Sequence, residues 1–314
     1  MSLEKNLIDN LVKVTSRAAV SCFKYVGKGD KKLADKAATD SMRYDLNNLD
    51  INGEVVIGEG ELDNAPMLYI GEKIGKGNGP FLDIAVDPLE GTNFVAKNLP
   101  GAISVLAVSE KGNLFNAPET YMNKLAVGKD VPLDATDIDF PLKKNISNIA
   151  EAKNKQINQI TACILDRPRH KKIIEELKSL NVNLKLISDG DVCGALLVTN
   201  NKYKVDLYLG IGGGPEGVIA ASALDAYKCK FQGRFIFDTD LDKQRAKRMG
   251  IKDLNKKYDL NEIIKGDSIF CATGITSTDL VSCVKKENGK FITETLVTHK
   301  KSTIEIIKRE EPIA

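Results

Sequence analysis

The sequence predicts an α/β protein, and three observations carry that prediction. Short apolar runs rich in β-branched residues recur along the chain, helical periodicities lie between them, and two of the runs end in carboxylates.

The elements follow in order. Leu3, Leu7, Leu11, Val14, Ala18 and Cys22 recur every three or four residues, which gives an amphipathic helix stopped at Gly27. A second helix is expected after Lys31-Lys32, with Leu33, Ala37 or Ala38, and Met42 facing inward and Asp35 near its start. Val55-Val56-Ile57 and Phe81-Leu82-Asp83-Ile84-Ala85-Val86 read as buried strands, and Ala102 to Ser109 as a third. The polar stretch from Asp130 to Gln159, with Pro132 and Pro141, is the natural place for one layer to give way to the next. It divides the chain into residues 1–150, with the acid-tipped strands, and residues 151–314, a second α/β domain. Beyond it, strands at Thr161 to Leu165, Leu184 to Ser188, Val205 to Leu209 and Ser268 to Ala272 alternate with helical patterns.

Composition excludes several classes. The 314 residues are 42% hydrophobic, enough for a large core, and 45 basic against 43 acidic side chains leave a net charge of +2, too little for a nucleic-acid field. No apolar run approaches the ~20 residues of a membrane span, and Met1-Ser2-Leu3-Glu4-Lys5 lacks a secretory apolar region, so a cytoplasmic location is expected. Cys22, Cys163, Cys193, Cys229, Cys271 and Cys283 show no C-x-x-C spacing and read as reduced core thiols.

The chemistry concentrates after the first two strands. Gly58-Glu59-Gly60-Glu61 and Asp87-Pro88-Leu89-Glu90-Gly91-Thr92 put four carboxylates and a hydroxyl at strand ends. Such hard oxygen donors suit Mg²⁺ or Mn²⁺, and a pair of these ions can clamp the attacking and leaving oxygens of a phosphoryl transfer. Taken alone, the second string reads equally as an Asx turn with Glu90 on a solvated face. Beside Gly58-Glu59-Gly60-Glu61, the metal reading is preferred.

Asp87-Pro88-Leu89-Glu90-Gly91-Thr92 resembles the D-P-[IL]-[DE]-G-[TS] signature of the lithium-sensitive, metal-dependent sugar phosphatases. More narrowly, Val56-Ile57-Gly58-Glu59-Gly60-Glu61 and Ala65-Pro66-Met67-Leu68-Tyr69-Ile70-Gly71-Glu72-Lys73 are similar to the bacterial class II fructose-1,6-bisphosphatases. So are Asn116-Ala117-Pro118, Arg167-Pro168-Arg169-His170, Asp189-Gly190-Asp191, Gly210-Ile211-Gly212-Gly213, Pro215-Glu216-Gly217 and Ala272-Thr273-Gly274-Ile275-Thr276. This colinear set spans nearly the whole chain. The resemblance implies a layered α-β-α-β-α sandwich and hydrolysis of the 1-phosphate of fructose 1,6-bisphosphate, a step of gluconeogenesis. It implies Mn²⁺ or Mg²⁺ held by Asp35, Glu59, Asp87, Glu90 and Glu216, with Thr92 as the hydroxyl that orients water or meets phosphorus, Glu61 as base and Lys31 as charge stabiliser. Glu90, Gly91, Thr92, Tyr121, Arg167, Pro168, Arg169, Asp189, Gly190, Asp191 and Gly213 match substrate contacts. A homo-oligomer, dimer or tetramer, and no nucleic-acid or membrane partner are expected. Asn93-Phe94 is closer to the inositol-phosphatase branch, and Gly214 stands where alanine is frequent, so inositol phosphate and sedoheptulose bisphosphate stay open as substrates.

Two further stretches have competing readings. Arg167-Pro168-Arg169-His170-Lys171-Lys172 follows a strand and opens the helix Ile173 to Leu180, where positive charge opposes the helix dipole unless an anion lies there; otherwise it is an exposed basic patch. His170 and His299 read as structural or surface residues rather than ligands. Gly212-Gly213-Gly214-Pro215-Glu216-Gly217 satisfies G-x-G-x-x-G, and Asp238 follows Phe235-Ile236-Phe237 at the spacing of a ribose acid, so a dinucleotide-binding oxidoreductase is a rival. Glu216 argues against it, because a carboxylate at that helix start repels a pyrophosphate.

Overall fold

The computed structural model describes residues 5–60 and 67–312. The chain is mixed α/β and divides into two compact units, residues 1–116 with 264–314, and residues 117–263. Leu3 of the first periodicity and Glu61 lie outside the described residues.

The first unit opens with helices α1 (Lys5–Phe23) and α2 (Lys31–Asn47), followed by β1 (Asn52–Ile57), β2 (Lys73–Ile74), β3 (Phe81–Glu90), α3 (Thr92–Lys97) and β4 (Ile103–Glu110). Its described strands form one sheet in the order β12-β13-β11-β4-β3-β1-β2, with β14 on the free side of β13; here β11 is Ser268–Gly274, β12 Lys285–Glu287, β13 Lys290–His299 and β14 Thr303–Pro312. α1 and α2 pack on one face, where Leu11, Val14, Ala38, Met42 and Leu46 meet Ile84, Val86, Leu106, Cys271 and Val297. The inward face of α2 is Ala34, Ala38, Met42 and Leu46, while Leu33 is 48% exposed. Ala38 and Met42 of the expected inward face are buried, and Leu33 is the member that is not, its place being taken by Ala34. Alanines at the contact let α1 and α2 approach closely, a fit Leu33 would prevent.

The second unit contains β5 (Tyr121–Val127), α4 (Leu142–Ala152), β6 (Thr161–Leu165), α5 (Lys171–Ser179), β7 (Asn183–Ile187), α6 (Asp191–Leu196), β8 (Leu207–Gly213), α7 (Gly214–Ala226), β9 (Lys230–Ile236), α8 (Asp240–Arg248), β10 (Tyr258–Asp259) and α9 (Leu260–Ile263). Its sheet order is β10-β9-β5-β8-β6-β7. Alternation along β5 assigns the faces. Leu125 and Val127 join Ile146, Ile149 and Leu177 of α4 and α5 in one core. Met122 and Lys124 point the other way, against Gly217 of α7. Counted unit by unit, the layers are helices on a sheet, then a sheet between helices, the composition of the expected sandwich.

The division differs from the expected one in two places. Residues 130–159 are not a boundary: the loop before α4 is bolted to β9, where Lys230 donates to the Leu133 and Thr136 carbonyls. On the same face Gln232 accepts from the Ile138 N–H at 3.1 Å and Arg234 holds Asp139 at 2.7 and 2.9 Å. The C-terminal strands also return to the first sheet, because β11 pairs with β4 from Ser268↔Ser109 to Gly274↔Ile103. Cys22, Cys163, Cys229 and Cys271 are buried free thiols, as expected, and Cys193 and Cys283 are half-buried.

Met42→Ala should lower stability by roughly 2–5 kcal/mol in urea denaturation, the range for truncating a fully buried side chain, while Leu33→Ala should change it by less than about 0.5 kcal/mol. Equal losses would put Leu33 on the buried side with Met42.

Candidate functional site

In the first unit the acids are placed by an irregularity in β3. Asp87 pairs with Val105 and Glu90 with Ile103, so three residues of β3 span two of β4. This bulge keeps Asp87 and Glu90 on one face of the sheet, where strict alternation would have set them on opposite faces. Pro88 sits in the bulge, where its missing N–H breaks no ladder bond. The Leu89 N–H donates to Asp87 Oδ1 at 3.1 Å, so the Asx turn is present, yet Glu90 is only 5% exposed and not on a solvated face. Gly91 has φ +86° and a Cβ there would stand 2.8 Å from the Phe94 ring, so the reversal into α3 needs glycine. Thr92 is the first residue of α3 and half-buried.

Asp35 lies one turn into α2, half-buried, and burial pushes its carboxyl pKa up. Lys31 opens the same helix and is exposed. The loop before α2 is tied to α3 by Gly27 N–H to the Val95 carbonyl at 2.8 Å and Gly29 N–H to the Ala96 carbonyl at 3.0 Å. The start of α2 is thereby held beside the helix that begins at Thr92. Glu59 follows β1, half-buried, with its N–H on the Leu68 carbonyl at 2.8 Å. Among the described residues no three His, Cys, Asp or Glu side chains converge closely enough to hold a metal ion.

The second unit gathers the basic turn and the glycines. Pro168–His170 form a single 3-10 turn ahead of α5. Arg167 lies 3.5 Å from Asp189. Arg169 donates from Nε to the Ile211 carbonyl at 2.9 Å and covers the Tyr121 ring at 4.7 Å. The turn is therefore oriented by named partners. His170, fully buried, is the bolt: its Nδ1 lies 2.7 Å from the Leu165 carbonyl and its Nε2 accepts the Ile211 N–H at 2.7 Å. That pair of bonds requires the neutral ring, and burial pushes the imidazole pKa down. His299, 4% exposed, is likewise structural, 2.8 Å from Asp267.

Gly190 has φ +85° and leads into α6, whose first residue is Asp191. A Cβ on Gly212 would lie 1.8 Å from Asp191 Oδ2, one on Gly213 1.8 Å from Glu216 Oε2, and one on Gly214 2.7 Å from the Phe235 ring. These glycines make room for two carboxylates and a phenyl ring. Glu216 lies in the first turn of α7, and burial pushes its pKa up against the nearby charge of Lys124. The dinucleotide rival fails on topology: β5 lies antiparallel between β8 and β9, so the adjacent parallel strands of a ribose-binding βαβ unit are missing there. Sequence reasoning missed Lys124 and Tyr208, whose signal, a lysine and a tyrosine alternating within strands, is common in solvated faces.

Acid-tipped strands thus lie in one unit, and an oriented basic turn and glycine-backed carboxylates in the other. The family model of bacterial fructose-1,6-bisphosphatase, glpX-encoded, matches residues 5–311. The chain is 39% identical over a 330-residue alignment to fructose-1,6-bisphosphatase 1 class 2 of Escherichia coli strain K12, covering 99% of this chain and 98% of that protein. It is also 39% identical to the D-fructose 1,6-bisphosphatase class 2/sedoheptulose 1,7-bisphosphatase of Synechococcus sp. strain JA-2-3B'a(2-13), over 93% of this chain and 91% of that one. A solved inositol monophosphatase–fructose 1,6-bisphosphatase overlays on 62% of this chain and 72% of its own, with TM-score 0.34 and 14% identity. The chain belongs to the glpX-encoded bacterial fructose-1,6-bisphosphatase family.

The neutral His170 ring should make stability pH-dependent. Its folded pKa is depressed, so its contribution is complete above the ordinary imidazole value of about 6.5 and is lost as pH falls through the lower folded value. His170→Leu, which leaves the Ile211 N–H and Leu165 carbonyl unmatched, should cost roughly 1–3 kcal/mol at about pH 8, and the gap to wild type should narrow on acidification in urea titrations. A gap that widens at low pH would mean the ring is held as the cation.

Proposed function

We propose that this chain hydrolyses the 1-phosphate of fructose 1,6-bisphosphate, giving fructose 6-phosphate and phosphate. The observation that carries the reading is the β3 bulge, which turns Asp87 and Glu90 to one face immediately before Gly91 and Thr92, in a chain matching the family from residue 5 to 311.

Asp35, Glu59, Asp87 and Glu90 would hold Mn²⁺ or Mg²⁺, and Glu216 is proposed as a further ligand on the family resemblance. The donor set fits, since all are hard carboxylates, and burial alone raises the Asp35 pKa, a shift a neighbouring cation would reverse. When bound, such ions supply Lewis-acid stabilisation of the charge on the transferred group and its oxygens. The chain's own residues do the rest. Thr92 at the start of α3 offers its hydroxyl to orient the attacking water or to meet phosphorus. Glu61 is proposed as the base, and Lys31 as the cation that steadies developing charge. Arg167 and Arg169, with Tyr121, Pro168, Asp189, Gly190, Asp191 and Gly213, would grip the sugar and the phosphate that is not cleaved. Energy from that remote grip orients the reacting phosphate. A second substrate, sedoheptulose 1,7-bisphosphate, is favoured by the dual name of the Synechococcus relative. Among the described residues no helix is long and apolar enough to cross a membrane; a cytoplasmic homo-oligomer is proposed.

Activity should vanish in excess EDTA and return with Mn²⁺ or Mg²⁺, and Asp87→Asn or Glu90→Gln should abolish it with an unchanged circular-dichroism spectrum. Full turnover in EDTA would sink the metal assignment. Thr92→Ala should lower kcat by about 10²–10⁴, the range of a positioned proton-transfer group, with little change in KM; a KM effect alone would make Thr92 a substrate contact.

Arg169→Ala should cost roughly 1.5–3 kcal/mol in kcat/KM for fructose 1,6-bisphosphate, the value of a hydrogen bond to a charged group, and almost nothing for fructose 1-phosphate. Equal losses on both substrates would place Arg169 at the reacting phosphate instead.

A further inference from the structure

Lys124 stands in the middle of β5 with 1% of its side chain exposed. Its ammonium donates to Asp191 Oδ2 and, at 2.6 Å, to the Gly213 carbonyl. The Tyr208 hydroxyl donates to the other Asp191 oxygen, Oδ1. A strand from each side of the pair, β5 and β8, therefore supplies one donor to each oxygen of a single carboxylate. That carboxylate belongs to the first residue of α6, and the carbonyl to the residue immediately before α7.

The arrangement is expensive as a fold device. Removing an ammonium and a carboxylate from water is costly, and apolar residues of the same volume often serve stability as well or better. What the ion pair adds is position. It fixes both oxygens of Asp191, and through the Gly213 carbonyl it fixes the same backbone stretch whose glycines leave space for Asp191 and Glu216. A displaced ammonium would let the starts of α6 and α7 shift independently.

We propose that Lys124 is a positioning residue for the phosphatase reaction, with Tyr208 as its auxiliary, holding Asp191 and Gly213 where they contact the sugar phosphate. This rests on the function proposed above. Lys124 does not touch the reacting atoms; it acts through Asp191.

The test uses the full chain. Lys124→Met, Asp191→Asn and the double variant are assayed for turnover of fructose 1,6-bisphosphate and, by calorimetry, for binding of the product fructose 6-phosphate. In Lys124→Met, KM should rise at least about tenfold, kcat should fall by less than about threefold, and fructose 6-phosphate binding should weaken by the same factor as KM rises. The double variant should be no worse than the worse single, because both changes remove one interaction. Losses that multiply, or a folded Lys124→Met with KM within about twofold of wild type, would overturn the proposal. Should Lys124→Met fail to melt cooperatively, Tyr208→Phe decides: a rise in KM of about threefold with kcat unchanged supports the proposal, and no rise overturns it. Wild-type protein that binds fructose 6-phosphate without hydrolysing the bisphosphate would refute the phosphatase reading, and the calorimetric comparison would still decide the role of Lys124.

Discussion

Strand β3 must satisfy two demands that conflict. As an interior strand between β1 and β4 it has to pair its backbone on both sides, and at its far end it has to deliver two acids to one face only three residues apart. The registered pairing with β1 ends at Ala85. Only beyond it does the bulge against β4 occur, with Pro88 inside. Pro88 there loses no ladder bond, Asp87 closes the turn by accepting the Leu89 N–H, and Gly91 completes the reversal at positive φ. Move the proline two residues earlier and the same sequence chemistry would break the sheet. The placement of Asp87, Glu90 and Thr92 follows from this ordering, as does the seat of α3, to which the loop before α2 is bonded.

The second unit solves a different problem with the same economy of backbone. Its site elements are short, and several are single turns that could not hold a shape alone. They are held by neutral and ionic bolts instead. His170 joins Leu165 to Ile211, Arg169 reaches the Ile211 carbonyl, and Lys124 joins Asp191 to Gly213. Glycines at 212, 213 and 214 are what such bolts require, because side chains from elsewhere occupy the space their Cβ atoms would take. A G-x-G-x-x-G string can thus arise from packing inside a protein, with no pyrophosphate to cradle.

Much of this was legible in the sequence, for reasons that also explain what was not. β6 was read as Thr161 to Leu165, the span observed, because both its faces are buried and its run is continuous. The acid strings were legible because proline and glycine punctuate them. In α2, Ala38 and Met42 were read correctly as inward, and Leu33 was misread because the buried position at that turn is its smaller neighbour Ala34. The division into units was misread because it depends on β4 pairing with β11, a contact between residues more than 150 apart with no local signal. β13 and β14 went unread: their alternation is diluted by threonine and charge, and the turn between them, His299 to Ser302, lacks the usual glycine or asparagine. Lys124 was invisible for a related reason, since a lone strand lysine reads as solvated until its two partners, far along the chain, are placed on it.

β3 also shows why a carboxylate's function cannot be judged from its residue type. Asp83 and Asp87 lie four residues apart, before the bulge, and so share a face. Asp83 is 3% exposed, and its Oδ2 accepts the N–H groups of Gly112 at 2.7 Å and Leu114 at 3.2 Å. Burial pushes its pKa up while those backbone bonds pull it down, a balance expected of an acid that closes the turn after β4. Its lone pairs are directed at main chain, which no ligand can displace without opening that turn. Asp87 accepts the Leu89 N–H within its own turn, and it lies beyond the last residue of β3 paired with β1 and immediately before the bulge. Two aspartates on one strand and one face thus differ in place: Asp83 is built into the turn after β4, while Asp87, the proposed ligand, lies past the pairing with β1 and just before the bulge that turns Glu90 to the same face.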